Sequence, residues 1–178
     1  PENDLFPNHS NVYMTPMIMN LPHDSGSAQE IAFIAYNCSD GSNPILAGTT
    51  TECFGVIRII NGETCEQIET IYDPEYHFIG ASSVGMIDLD NDGNVEIVAY
   101  IAAVNAKGIS ATHSNGYVAY RWDENKNEYV RYWTTTESSS SPTTIYRHMD
   151  GPSFADLDDD GYPEVIGALG DVYNGRTG

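Results

Sequence analysis

Two segments of this chain carry acids at alternate positions: Asp88-Leu89-Asp90-Asn91-Asp92-Gly93-Asn94-Val95-Glu96 and Asp156-Leu157-Asp158-Asp159-Asp160-Gly161-Tyr162-Pro163-Glu164. In both, carboxylates stand at loop positions 1, 3, 5 and 9 and glycine at position 6. Alternate side chains of a tightly wound loop converge on one point, and glycine permits the sharp turn. The carbonyl of position 7 can then turn inward as a further oxygen ligand. Such a donor set suits a hard cation, and without His or Cys it favours calcium over zinc. The expected ligands are Asp88, Asp90, Asp92, the Asn94 carbonyl and Glu96 in one loop. In the other they are Asp156, Asp158, Asp160, the Tyr162 carbonyl and Glu164, making two Ca²⁺ sites.

An EF-hand begins with the same D-x-D-x-D-G but needs a bidentate Glu at position 12 and a helix on each side. Position 12 is Ala99 in one loop and Gly167 in the other, and the flanks are β-type, so that reading fails. Asp/Gly runs also form plain turns. Two copies, each followed by a Glu and an apolar strand, argue against turns alone. A third, degenerate copy precedes them: Asn20 replaces the first Asp and Pro22 the second, and the loop is longer before Glu30. His23, Asp24 and Glu30 are present there without alternating carboxylates, so no calcium is expected.

The elements that must position these loops are strands. Helical periodicity is almost absent, and short β-branched and aromatic runs are punctuated by Gly, Asn, Asp and Ser. Strands are predicted at 31–36, 54–60, 67–72, 84–87, 96–102, 117–122, 129–133, 153–155 and 164–168. Asn61-Gly62 predicts a tight hairpin between the second and third of these, and 123–127 predicts another. Stretches 37–51 and 103–116 read as insertions, and 134–142 as a low-complexity connection. Asp88 and Asp156 lie 68 residues apart, and the same step back from Asp88 reaches Asn20. A second landmark agrees, since Ile59-Ile60-Asn61-Gly62-Glu63-Thr64 resembles Val172-Tyr173-Asn174-Gly175-Arg176-Thr177. Four strands per repeat is the pattern of a β-propeller blade. The fold class is therefore all-β, with blades of four antiparallel strands. Two units, at about 11–76 and 77–146, are complete, and a partial third covers 147–178. Two blades and a part cannot close a ring, so remaining blades or other subunits are expected partners.

Of the 178 residues, 26 are Asp or Glu and 7 are Lys or Arg, a formal net charge of -19. Nucleic acid and anionic membrane surfaces would repel such a chain. The longest nearly apolar run, Ile97 to Val104, is too short to span a bilayer. No signal peptide is expected, because the residues from Pro1 onward show no basic region followed by an apolar one. Cys38, Cys53 and Cys65 contain no C-x-x-C; a Cys38–Cys53 disulfide and three free thiols both stay open. The five histidines (His9, His23, His77, His113, His148) show no metal-ligand spacing. Ser110 or Ser114 with His113, and Ser153 with His148, lack a nucleophile elbow. The aromatic-rich pair carrying Tyr117, Tyr120, Trp122, Tyr129, Tyr132 and Trp133 is expected to pack between units rather than to stack sugars.

The runs ASSVGMIDLDNDGNVEIVAY and GPSFADLDDDGYPEVIGALGDVYNGRTG resemble FG-GAP (VCBS-type) repeats, the blades of integrin-α-like propellers. The resemblance implies calcium in the inter-strand loops at the ten positions named above, although the family usually has Asp at position 9, where this chain has Glu. It also implies an extracellular, secreted or cell-surface setting. The expected role is non-enzymatic: adhesion, assembly, or binding of a protein or carbohydrate ligand. Two alternatives are the propeller part of a calcium-dependent polysaccharide lyase and a structural subunit of an assembly or fibre. The lyase would need a base such as Lys107, Arg121 or Arg147.

Overall fold

The computed structural model describes residues 6–22, 28–37, 54–80, 82–105, 108–135, 151–168 and 170–178. Among them every regular element is a strand, and the strands form three antiparallel sheets. The first sheet is β1 (Met17–Met19), β2 (Glu30–Tyr36), β3 (Gly55–Asn61) and β4 (Gln67–Ile71), in that order. The second is β5 (Gly85–Ile87), β6 (Glu96–Asn105), β7 (Gly108–Asp123) and β8 (Glu128–Thr134), again in sequence order. The third holds β9 (Ser153–Ala155), β10 (Glu164–Ile166) and β11 (Val172–Asn174). No closed ring of sheets is seen among the described residues.

The middle sheet explains why 97–104 is almost continuously apolar. Ile97, Ala99 and Ile101 of β6 enter one core with Ala32, Ile34, Ile57 and Ile59 of the first sheet. The intervening Val98, Tyr100 and Ala102 enter a second core with Val165 of the third sheet. A strand buried on both faces loses the usual alternation of apolar and polar residues. The aromatic pair divides the same way. Tyr120 and Tyr129 are buried in the first core, Tyr117 and Trp133 in the second.

Polar contacts fix the sheets to one another. Arg131 of β8 forms a two-pronged ion pair with buried Asp73, donating from Nε and Nη2 at 2.9 and 3.0 Å. The Tyr120 hydroxyl donates to the same carboxylate at 3.0 Å. Replacing Arg131 by Met leaves Asp73 buried with only that hydroxyl and the amides of Glu75 and Tyr76 as donors. The expected loss is about 3 kcal/mol, read as a lower urea midpoint, because a buried charge without its partner is costly. On the other side, the Ala168 N–H donates to the Tyr100 hydroxyl at 3.0 Å, and Trp133 Nε1 donates to the Gly175 carbonyl at 2.7 Å.

The structure departs from the sequence expectation in three places. β1 and β11 are strands of three residues, too short for a periodicity to register. The stretch 103–116 continues the β6–β7 ladder, with pairs Ala102↔Ser114 and Val104↔Ile109 and two register shifts. An antiparallel pair that has found its register keeps satisfying its backbone groups by continuing, and bulges absorb the extra residues. The hairpin at Asn61-Gly62 is also not a two-residue turn. Its left-handed residue is Cys65, at φ 60°, whose N–H donates to the Asn61 carbonyl at 2.9 Å.

That turn recurs in all three sheets. Asn127 (φ 55°) donates its N–H to the Asp123 carbonyl, and Gly178 (φ 71°) to the Asn174 carbonyl. In each, the side-chain oxygen of the first residue accepts from the amide two residues on. Gly62 and Gly175 serve close approach instead: a Cβ would lie 2.3 Å from the Gln29 carbonyl oxygen and 2.0 Å from that of Pro163. Cys38 and Cys53, whose pairing the sequence leaves open, and His23, Asp24, His148 and the connection beyond 135 lie outside the described residues.

Candidate metal centre

Sheet register places the two ends of each acidic loop side by side. Ile87 pairs with Glu96 and Ala155 with Glu164, so Asp88 and Asp156, each one residue past the strand, emerge beside the glutamate of position 9. Met19 pairs with Glu30 in the same way. The loops then fold alike. Positions 4 and 6 are left-handed in both: Asn91 at φ 58° and Gly93 at 91°, Asp159 at 64° and Gly161 at 88°. A Cβ on either glycine would meet nothing within 4 Å, so glycine is used there for its backbone freedom rather than for space. Asp88 accepts from the amides of Asp92 and Gly93 at 3.2 and 2.9 Å, and Asp156 from those of Asp160 and Gly161 at the same distances.

This winding brings Asp88, Asp90 and Glu96 together, with one carboxylate oxygen of each within 4.8 Å of the others. Asp156, Asp158 and Glu164 form the matching group. Positions 1, 3 and 9 therefore converge, and position 5 does not join them. Asp92 accepts from the Asn94 amide at 2.7 Å, and Asp160 from the Tyr162 amide at 2.9 Å. The other Asp160 oxygen faces Arg176 at 3.3 Å, and that guanidinium lies over the Tyr162 ring at 3.7 Å.

The position-9 glutamate has a role the spacing did not reveal. Glu30, Glu96 and Glu164 each accept the backbone N–H of a leucine, Leu21 (2.8 Å), Leu89 (2.6 Å) and Leu157 (2.8 Å). This pins the loop to the first residue of the next strand in all three units, including the one without alternating acids. A leucine at position 2 of every copy is the sequence signal that could have disclosed it. Glu96 is 1% exposed, and its Oε1 has no hydrogen-bond partner; neither has Asp90 Oδ1. Burial pushes the Glu96 carboxyl up to about 8, with Asp90, Asp92 and Asp88 adding to the rise and the Leu89 N–H opposing it. The Tyr132 hydroxyl donates to Asp90 at 3.2 Å, and Asn91 Nδ2 donates across to the Gly161 carbonyl of the other loop at 2.7 Å. Neither contact is foreseeable from spacing, since the partners lie 42 and 70 residues apart.

Other chemistry named from the sequence stays scattered or lies elsewhere. The Arg121 guanidinium is over the Tyr132 ring at 4.7 Å. The Lys107 and Arg147 positions, and the side chains of Ser110, His113 and Ser114, lie outside the described residues. His9 and His77 each pack against Phe54, with ring centroids 4.8 and 5.0 Å from it. Cys65 is exposed and free. In comparisons with known proteins, no family model, curated protein or solved structure matches this chain.

Proposed function

We propose that the chain is a calcium-binding β-propeller segment of an extracellular protein. Its acidic loops hold Ca²⁺ to stiffen the blades, and the blades serve in ligand binding, adhesion or assembly rather than catalysis. One observation carries the reading: Glu96 and Asp90 each keep a buried carboxylate oxygen without a donor, and the two residues cluster with Asp88, one oxygen of each within 4.8 Å of the others. Buried acceptors without donors are costly, and a hard cation would satisfy all three carboxylates at once. The second loop repeats the carboxylate arrangement with more open walls, Asp156 and Asp158 being exposed. The resident residues would be Asp88, Asp90 and Glu96, and Asp156, Asp158 and Glu164. The carbonyls of Asn94 and Tyr162 would complete the shells, and Asp92 and Asp160 would join only by turning inward, which for Asp160 means leaving Arg176.

Extracellular calcium modules work at about 10⁻⁴–10⁻³ M calcium, and the proposed sites would fill in that range. Equilibrium dialysis with radioactive calcium is expected to give two ions per chain. Asp90→Asn and Asp158→Asn should each lower that to one, and the double variant to none. Binding that survives the double variant would place the cation elsewhere.

A further inference from the structure

Asn91 stands at position 4 of the 88–96 loop, between Asp90 and Asp92, in the left-handed region at φ 58°. Its side chain reaches out of its own loop, and Nδ2 donates to the Gly161 carbonyl at 2.7 Å. Gly161 is position 6 of the 156–164 loop, and its own N–H donates to Asp156 at 2.9 Å. The nitrogen of the same peptide unit belongs to Tyr162 and donates to Asp160 at 2.9 Å. One peptide unit is thus held by the 88–96 loop at its oxygen and by the 156–164 loop at its nitrogen. Among the described residues no second hydrogen bond or ion pair joins the two loops. Position 4 of the 156–164 loop is Asp159, whose carboxylate has no N–H to give, so only the 88–96 loop can supply this donor.

The hydrogen bond is exposed, and whether it persists depends on the winding of the loop that carries Asn91. Asp90 accepts from the Tyr132 hydroxyl at one oxygen, and its other oxygen is buried without a donor. Glu96, 1% exposed, keeps a second donorless oxygen and clusters with Asp90 and Asp88. Carboxylates gathered this closely repel one another, which favours opening of the loop in the metal-free protein. An opened loop carries Asn91 away from Gly161. A cation that holds Asp88, Asp90 and Glu96 together removes that tendency and keeps the side chain between Asp90 and Asp92 in place.

We propose that calcium in the 88–96 loop orders the 156–164 loop through Asn91, so that one metal ion locks the second sheet to the third. The inference rests on the calcium reading of the 88–96 loop and needs no cation in its neighbour. By linkage, a cation in the 156–164 loop would tighten binding in the 88–96 loop by the same factor that it gains.

The test uses Asp158→Asn, which leaves the 156–164 loop without a cation of its own. Amide exchange with solvent is followed by NMR. The Gly93 amide signal reports calcium in the 88–96 loop, and the Gly161 and Tyr162 amides report the order of the other. Millimolar calcium is expected to slow exchange at Gly161 and Tyr162 by about two- to tenfold, the range that one hydrogen bond allows. Adding Asn91→Gly should abolish the slowing and leave the Gly93 response as it was. Glycine suits φ 58° without strain, and the change alters no charge. Unaltered exchange at Tyr162 while Gly93 shows the loop filled would overturn the proposal. So would slowing that survives Asn91→Gly. A Gly93 signal that ignores calcium would instead remove the calcium reading, and this inference with it.

Discussion

Calcium at millimolar concentration is expected to raise the thermal midpoint of the metal-free protein by on the order of 10 °C. Each acidic loop gathers three carboxylates, with one oxygen of each within 4.8 Å of the others. The folded, metal-free protein bears that repulsion, and the unfolded chain does not. At about ten times its dissociation constant, a ligand that binds only the folded state stabilises by about 1.4 kcal/mol. Two such sites give about 3 kcal/mol, and a domain of this size shifts by roughly 2–4 °C per kcal/mol. Asp90→Asn or Asp158→Asn should each remove about half of the shift. The clasp from Asn91 to the Gly161 carbonyl joins the two loops, so Asn91→Ala should broaden the calcium-bound transition while leaving both ions in place. A midpoint that is the same with calcium and with chelator would remove the metal assignment altogether.

The second large effect concerns Glu96 and pH. In the metal-free protein its carboxyl titrates near 8 instead of its ordinary 4.5, chiefly because it is buried. The folded state therefore holds a proton that the unfolded state releases, so stability falls as pH rises from about 4.5 through 8. Calcium favours the ionised carboxylate, so affinity at this loop should rise with pH over the same window and binding should release a proton. Glu96→Gln removes the titration and keeps an oxygen able to accept the Leu89 N–H. Without calcium at pH 8 this variant is expected to be more stable than the parent, by about 3 kcal/mol. With calcium the order should reverse at that loop. Urea unfolding at pH 5 and pH 8, with chelator and with calcium, checks both signs. A metal-free variant that kept the parent's pH slope would show that Glu96 is not its source.

Much of the site was legible in the chain because the loop conformation is local. The left-handed residues at positions 4 and 6, and the amides donated to Asp88 and Asp156, involve residues at most five apart. Spacing alone therefore encodes them. The acidic loop and the Asn61 and Asn174 turns are likewise short motifs with fixed internal hydrogen bonds, so adjacent residues encode them. Asp123-Glu124-Asn125-Lys126-Asn127, expected as a hairpin connection, makes the same turn with a different sequence. The stretch 103–116 was misjudged as an insertion because its polar residues lack alternation, while the ladder needs only backbone groups.

By itself the sequence determined an all-β chain and acidic loops with glycine at the turning point. These depend on contacts a few residues long and on which side chains suit strands. The tertiary structure decided which acids converge: position 9 joins positions 1 and 3, while position 5 turns to a nearby amide. It also decided that Glu96 is sealed from water and Glu30 with it, and that Leu89 is buried while Leu157 is open. Burial is set by whichever sheet lies against a residue, and that sheet comes from a distant part of the chain. Identical local motifs thus acquire different environments.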